Sequence, residues 1–170
     1  MVPSAPIRGE VQSQTLVSAP GEVERLYREQ GARLWWAILA FSGDPEVASD
    51  AVGEAFAQAL RRGDAIRVLQ LWVWRAAFRL AAGEMKRRRS LVPLAVEVDL
   101  PMPEETRTVV VALARLPHKQ RRAIVLYYYG DYSLREIALI TGSASATIAV
   151  HLSRARKRLR SLLQEEMDDD

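Results

Sequence analysis

Tyr132 to Leu159 read YSLREIALITGSASATIAVHLSRARKRL, and this stretch governs how the rest of the chain is read. Ser133 and Glu136 have the spacing of a capping box, in which hydroxyl and carboxylate each take an orphan backbone N–H. Leu134, Ile137, Ala138 and Ile140 then give one short helix an apolar side. Thr141-Gly142-Ser143 stops it, because glycine accepts the positive φ that a helix end favours. Ser145 is placed to cap a second helix, whose Ile148, Leu152, Ala155 and Leu159 recur at helical spacing. Its opposite face carries Ala149, Val150, His151, Ser153, Arg154, Arg156 and Lys157. Two short helices joined by a tight turn, the second ending in cations, suit insertion into a DNA major groove. The plainer reading is a pair of surface helices in an ordinary bundle.

Upstream of this motif the periodicity is helical outside the N-terminal arm and one linker. Val23 to Phe41 carries Leu26, Leu34, Ile38 and Leu39 at compatible spacings. Asp44-Pro45 opens a second helix: the carboxylate accepts from free N–H groups, and proline sits where no N–H is needed. Val47/Ala48, Ala51/Val52, Ala55/Phe56 and Ala59/Leu60 form its apolar stripe, with Glu46, Asp50, Gly53, Glu54 and Gln58 on the other side. Arg62-Gly63-Asp64 ends it in a loop. A third helix is expected from about Leu69 to Arg89, with Trp72, Ala76, Leu80 and Ala81 inward and Arg75, Arg79 and Lys86 to Arg89 on the remaining surface. Pro93, Pro101 and Pro103 mark residues 91–103 as a linker without helical period. Helix resumes near Glu104, breaks at Leu116-Pro117 and continues to Tyr129-Gly130. The expected fold is all-α: two small helical domains, residues 20–90 and 104–164, joined by a flexible linker. Residues 1–19 read as a flexible arm and 165–170 as an acidic tail.

Composition narrows the function. The 170 residues carry 24 Lys+Arg against 21 Asp+Glu, a formal net charge of +3, so the chain as a whole is not a basic polyelectrolyte. Its cations are instead clustered, at Lys86-Arg87-Arg88-Arg89 and from Arg154 to Arg160. Clustered cations beside helices point to phosphate contact, although a helix C-terminus also favours them on its own account. The chain has no cysteine, which removes disulfides, thiolates and cysteine-bound zinc. No apolar run approaches the roughly 18 residues of a membrane span, and the N-terminus does not read as a secretory signal. A cytoplasmic, nucleoid-associated protein without membrane insertion is expected.

Catalysis finds little support. No glycine-rich phosphate loop is present, and His118 and His151 lack metal-ligand company. Asp50 and Glu54 sit one helical turn apart, but no third ligand follows at a useful spacing, so a metal site is not expected. They read better as an acidic ridge for the arginines of a protein partner. In the third helix Trp72, Trp74, Arg75, Phe78 and Arg79 mix aromatics with cations, the combination that stacks unpaired bases and follows a single-stranded backbone. A core role for Trp72 and Phe78 is the competing reading. Trp35-Trp36 is ambiguous in the same way, since adjacent helical positions cannot both face one core. The chain is expected to be neither an enzyme nor a cofactor carrier.

LYREQGARL, GDPEVASDAVGEAF, LWVWRAAFRLA followed by KRRR, LARLPHKQRRAIVLYYYGDYSLREIA and SASATIAVHLSRARKRL occur in that order from Glu22 to Leu163. The ordered set resembles a bacterial RNA polymerase sigma factor of the extracytoplasmic-function (ECF) group of the sigma-70 family. The resemblance implies a region 2 bundle of three or four helices and a region 4 helix-turn-helix. It implies core RNA polymerase and promoter DNA as partners, the minus-ten element being bound as single strand and the minus-thirty-five element as duplex. An anti-sigma protein is a further partner that it allows. By the same resemblance Asp50, Val52, Glu54 and Phe56 fall in the polymerase-docking motif. Arg62, Trp74, Arg75, Phe78, Arg79, Lys86, Arg87 and Arg88 fall in the minus-ten segment. Arg135, Glu136, Ser145, Thr147, Val150, His151, Arg154 and Arg156 fall in the minus-thirty-five segment.

The chain departs from that pattern at definite places. Gly53 stands where the docking motif usually has glutamine, Arg79 where asparagine is usual, and Gly83 where an aspartate is common. Ala149-Val150-His151 replaces positions that are often Lys, Ser and Arg. These departures bear on promoter melting and minus-thirty-five preference more than on fold. They also leave room for a sigma-like modulator that docks but melts weakly. The other alternative is a DNA-binding regulator that uses only the helix-turn-helix.

Overall fold

The computed structural model describes residues 19–89 and 100–168; the arm at 1–18, residues 90–99 of the linker and the last two residues of the acidic tail lie outside them. The described residues form seven α-helices in two groups. In the first, α1 (Ala19–Ser42), α2 (Pro45–Arg62) and α3 (Leu69–Arg89) make a bundle, with a 3₁₀ turn at Gly63–Ala65 before α3. Asp44 caps α2, its carboxylate accepting from the backbone N–H of Glu46 and Val47. The second group comprises α4 (Glu104–Ala114), α5 (His118–Ile124), α6 (Leu134–Thr141) and α7 (Ser145–Asp168). The helical periods, the stop at Leu116-Pro117 and the limits of α3 agree with the sequence reading. At the acidic end α7 continues through Asp168, and Glu165 meets Arg115 at 3.8 Å.

The helix-turn-helix has the capping box in full, with Ser133 and Glu136 exchanging both bonds, and Gly142 ends α6 at φ 70°. The chain turns through 103° between α6 and α7, within the range such motifs use. Between α5 and α6 the helix widens into a π turn, Val125–Tyr129, closed by Gly130 N–H donating to Val125 O. Only glycine fits there, because a Cβ on Gly130 would lie 2.7 Å from the Leu126 carbonyl oxygen.

Two corrections concern which faces are inward. On α3 the fully buried large side chains are Val73, Trp74 and Phe78, whereas Trp72 and Leu80 are only half-buried. The cause is a second packing partner, since α3 is covered by α1 and α2 on one side and by α6 on another. The two groups meet along this face, and their buried residues form one contiguous hydrophobic cluster. The helix α1 is the spine, touching α2 and α3 as well as α4, α5 and the π turn.

Polar contacts fasten the junction. Arg33 donates twice to Tyr129 O, at 3.2 and 2.8 Å. The Tyr132 ring packs edge-on against Trp74 at 5.1 Å and its hydroxyl accepts from Gln70; burial pushes that phenol up to about 12. Arg121 is 5% exposed and donates to the carbonyls of Phe41, Ala114 and Leu116. Three carbonyls from the ends of α1 and α4 thus share one guanidinium, a favourable place for a cation. Burial and the nearby charge of Arg89 pull its pKa down to about 10, so it stays protonated at neutral pH.

Candidate polymerase- and nucleic-acid-binding surfaces

The apolar stripe of α2 fixes what its other side presents. Asp50 and Glu54 are exposed together, with Gly53 between them. The Glu54 carboxylate accepts from Gln58 at 2.9 Å and from Arg61 at 2.7 Å, and both bonds hold its pKa below the usual carboxylate range. A Cβ on Gly53 would meet nothing within 4 Å, so packing does not demand glycine there. Beside the ridge runs a shallow cleft floored by Gly31 and edged by Tyr27, Trp35 and Ser49. Trp35 donates from Nε1 to Ser49 Oγ, while Trp36 faces outward; each tryptophan goes its own way, as adjacent helical positions require. Val52 and Phe56, assigned to docking by motif, are buried and unavailable to a partner. They hold the helix that carries the acids, with Phe56 packed edge-on to Tyr27 at 5.0 Å.

The minus-ten candidates divide similarly. Arg62 lies over the Trp72 ring at 5.4 Å, and Arg75, Arg79 and Lys86 are exposed on α3. Trp74 and Phe78, each 1% exposed, are core residues stacked on one another and offer no face to a base. Their period of four had matched the exposed cations one position along, which is why pattern alone did not separate them. Arg87 is bound twice by Glu84, at 2.9 and 2.6 Å. Arg88 joins Asp44, Glu46 and Glu84 in a single network. Arg88 thereby stitches the end of α3 to the start of α2, while Arg87 stays within α3. Arg87 and Arg88 hold the Glu84 carboxyl down at about 2, and Glu84 in turn raises the pKa of Arg88.

On α7, Ser145, Thr147, Val150 and Arg154 are exposed and His151 is half-buried, Val150 being 46% exposed. Thr147, Val150, Arg154, Lys157 and Arg158 form one outward stripe at helical spacing. Arg135 is exposed on α6, whereas the Glu136 carboxylate is committed to the capping box. Arg156 is the main correction here. It turns away from the stripe, donates from Nε to Tyr128 Oη at 2.7 Å and sits over the rings of Tyr127 and Tyr128 at 5.3 and 5.4 Å. Residues two apart on a helix point about 200° apart, so Arg154 and Arg156 cannot serve one surface. Arg156 instead edges an apolar groove of about 970 Å³ between α1, α4 and α7, lined by Trp36, Met102, Val109 and Leu163 among others. Among the described residues no three His, Asp or Glu side chains converge as a metal-binding group, and no single helix is long and apolar enough to cross a membrane.

Comparison with known proteins bears directly on this arrangement. Residues 106–159 match the family described as sigma-70, region 4. ECF RNA polymerase sigma factor SigL of Mycobacterium tuberculosis is 30% identical over 155 residues, covering 82% of this chain and 88% of the relative. The chain belongs to the ECF RNA polymerase sigma factors. ECF RNA polymerase sigma factor SigW of Bacillus subtilis is 25% identical over 168 residues, covering 85% of this chain and 88% of the relative. The sigma factor RpoE of Bartonella quintana, solved with the anti-sigma factor NepR, superposes with a TM-score of 0.68 at 24% identity, covering 83% of this chain and 98% of that one. As an alternative sigma factor, the protein joins core RNA polymerase and directs promoter recognition and transcription initiation. The region 4 match spans α4–α6 and most of α7, so it includes the helix-turn-helix.

Sequence reasoning missed the residues that join the units: Arg33, Arg121 and Tyr132. Arg121 had a signal. It sits three positions before Ile124 and four before Val125, both buried, and that helical spacing puts its side chain on the inward face.

Proposed function

We propose a division of labour among the exposed residues of this sigma factor. Asp50 and Glu54 dock on a cationic surface of core polymerase, with Val52 and Phe56 acting only through the helix they anchor. Arg62, Arg75, Arg79 and Lys86 track the minus-ten strand. Ser145, Thr147, Val150, His151 and Arg154 enter the minus-thirty-five major groove, with Arg135 on the adjacent backbone. Val150 reads a thymine methyl by apolar contact. The chain works in the cytoplasm on nucleoid DNA and contributes binding rather than catalysis.

One observation carries this reading: the exposed stripe of α7 stands clear of the core, while the acidic ridge of α2 is exposed on the other unit. Arg75 donates to Leu139 O across the junction at 3.4 Å, so the described arrangement is a resting form that region 4 must leave to free α3. The apolar groove edged by Arg156 suits a helical segment of a restraining anti-sigma protein.

Run-off transcription with purified core polymerase on a set of genomic promoters tests the reading; no stimulation over core alone would sink it. Charge reversal at Glu54 is expected to weaken core binding while leaving duplex binding intact. A weak-melting modulator gains support from one observation, the burial of Trp74 and Phe78. Permanganate reactivity of minus-ten thymines separates the two, being absent for the modulator.

A further inference from the structure

Lys119 was not among the residues that sequence or family resemblance singled out. It is exposed on α5, the helix that packs most extensively along α7. Lys119 and Arg122 from α5, and Arg154 from α7 itself, lie near enough to His151 that, after burial, their charges push its imidazole pKa down. The region 4 face therefore gathers four cationic or protonatable side chains from two helices. Among the described residues no carboxylate comes within ion-pair distance of any of them. Gathering like charges without acids costs Coulomb energy, which a polyanion relieves.

A second observation falls on the same place. Among the described residues, the buried side-chain polar atoms without a partner are Gln120 Oε1, Arg121 Nε, Arg122 Nε and His151 Nδ1. All four belong to α5 or to the α7 residue packed against it. Polar groups are rarely left unmatched in a folded interior, and two of these four, on Arg122 and His151, belong to the uncompensated cations. His151 lies on the flank of the exposed α7 stripe toward α5, the helix that carries Lys119 and Arg122.

We propose that Lys119, Arg122, His151 and Arg154 form a phosphate clamp across α5 and α7, extending the duplex grip of region 4 onto the helix before the helix-turn-helix. The clamp rests on the reading of region 4 as the duplex-binding unit. It is sequence-independent, since phosphates position a protein on DNA without specifying bases. The same surface could in principle serve an acidic protein segment, and the test separates the two.

The experiment uses the full chain and a fluorescein-labelled DNA duplex of arbitrary sequence, followed by anisotropy across a KCl series. Lys119→Ala is expected to weaken binding equally on several unrelated duplexes and to cut the slope of log affinity against log salt by about 1. Lys119→Arg should restore the slope, and Arg25→Ala, an exposed cation on α1, should leave it unchanged. An unaltered slope in Lys119→Ala overturns the clamp, as does failure of the wild-type chain to bind any duplex at low salt. Loss of core-polymerase affinity with duplex binding intact also overturns it, in favour of an acidic protein partner. Because promoter-dependent transcription by the wild-type chain is scored separately, the clamp can fail while the sigma reading stands.

Discussion

The C-terminal end of α3 and the face shared by α5 and α7 are both rich in cations, yet only the first is neutralised from within. At the end of α3, Arg87 and Arg88 are held by Glu84, Asp44 and Glu46. On the α5–α7 face, Lys119, Arg122, His151 and Arg154 have no acid among the described residues within ion-pair reach, and their charges act on one another. A run of basic residues in a sequence is therefore not yet a binding surface. What decides is whether the fold brings carboxylates to it, and acids from α2 and α3 do so for one cluster only.

Between the two clusters lies Arg121, whose charge is answered by carbonyls instead of carboxylates. Arg121→Met is expected to have the largest effect. It would leave three carbonyls without their donor, two of them at the junction of α4 and α5 and one on α1, at a cost of about 3 kcal/mol. Urea unfolding followed by far-UV circular dichroism measures this. A loss under about 1 kcal/mol would mean that Arg121 is as dispensable as a surface cation, and the junction would then be held mainly by apolar contact.

Arg88→Met should cost less, about 1 kcal/mol, because its network is partly solvent-exposed and screened. The loss should shrink as salt is added. If the midpoint does not move, the α3 cluster is no more structural than the α5–α7 face and the contrast between them fails.

Acid separates the clusters by pH window. Burial and neighbouring cations hold His118 and His151 below the ordinary imidazole value of 6.5, so the folded state binds fewer protons than the unfolded chain. Their contribution is complete above 6.5 and is lost as pH falls below it. Glu84 is held at about 2 against an ordinary 4.5, so its contribution is present above 4.5 and lost as pH falls toward 2. A plot of urea midpoint against pH should lose its upper limb in a His118→Gln/His151→Gln variant and part of its lower limb in Glu84→Gln. Superimposable profiles for all three proteins would erase the distinction.

Much of this was legible in the sequence because it is local. The capping box at Ser133 and Glu136, the Asp44 cap and the glycine stop at Gly142 each depend on residues a few positions apart, and all appear as read. The exposed stripe of α7 and the acidic ridge of α2 followed from helical periodicity. What was not legible depends on pairs distant in the chain. Trp74 and Phe78 read as partners for bases until region 4 was found packed on α3 and Tyr132 against Trp74. Arg156 read as part of a basic run, and only Tyr127 and Tyr128 from the π turn show which way it points. Arg88 read only as part of the basic run because two of its three acids lie 42 and 44 residues away. The burial of Val52 and Phe56 has a simpler reason: a motif includes positions that hold a helix as well as exposed ones.

The smallest effect is also the one that most sharply distinguishes a ligand-facing cluster from a structural one. Replacing Lys119 and Arg154 together by alanine removes two mutually repelling charges that no acid offsets. Both side chains are exposed, so little packing is lost. Stability should rise slightly, by up to about 0.5 kcal/mol at low ionic strength, since self-repulsion of like charges opposes the compact state. The gain should vanish in high salt, where screening already removes the repulsion. Thermal melts of the double variant at two salt concentrations provide the measurement. A loss above about 0.5 kcal/mol would show that these cations hold the fold together as Arg88 does. A small gain in stability alongside weakened duplex binding is the pattern of a surface whose repulsion is tolerated because DNA relieves it.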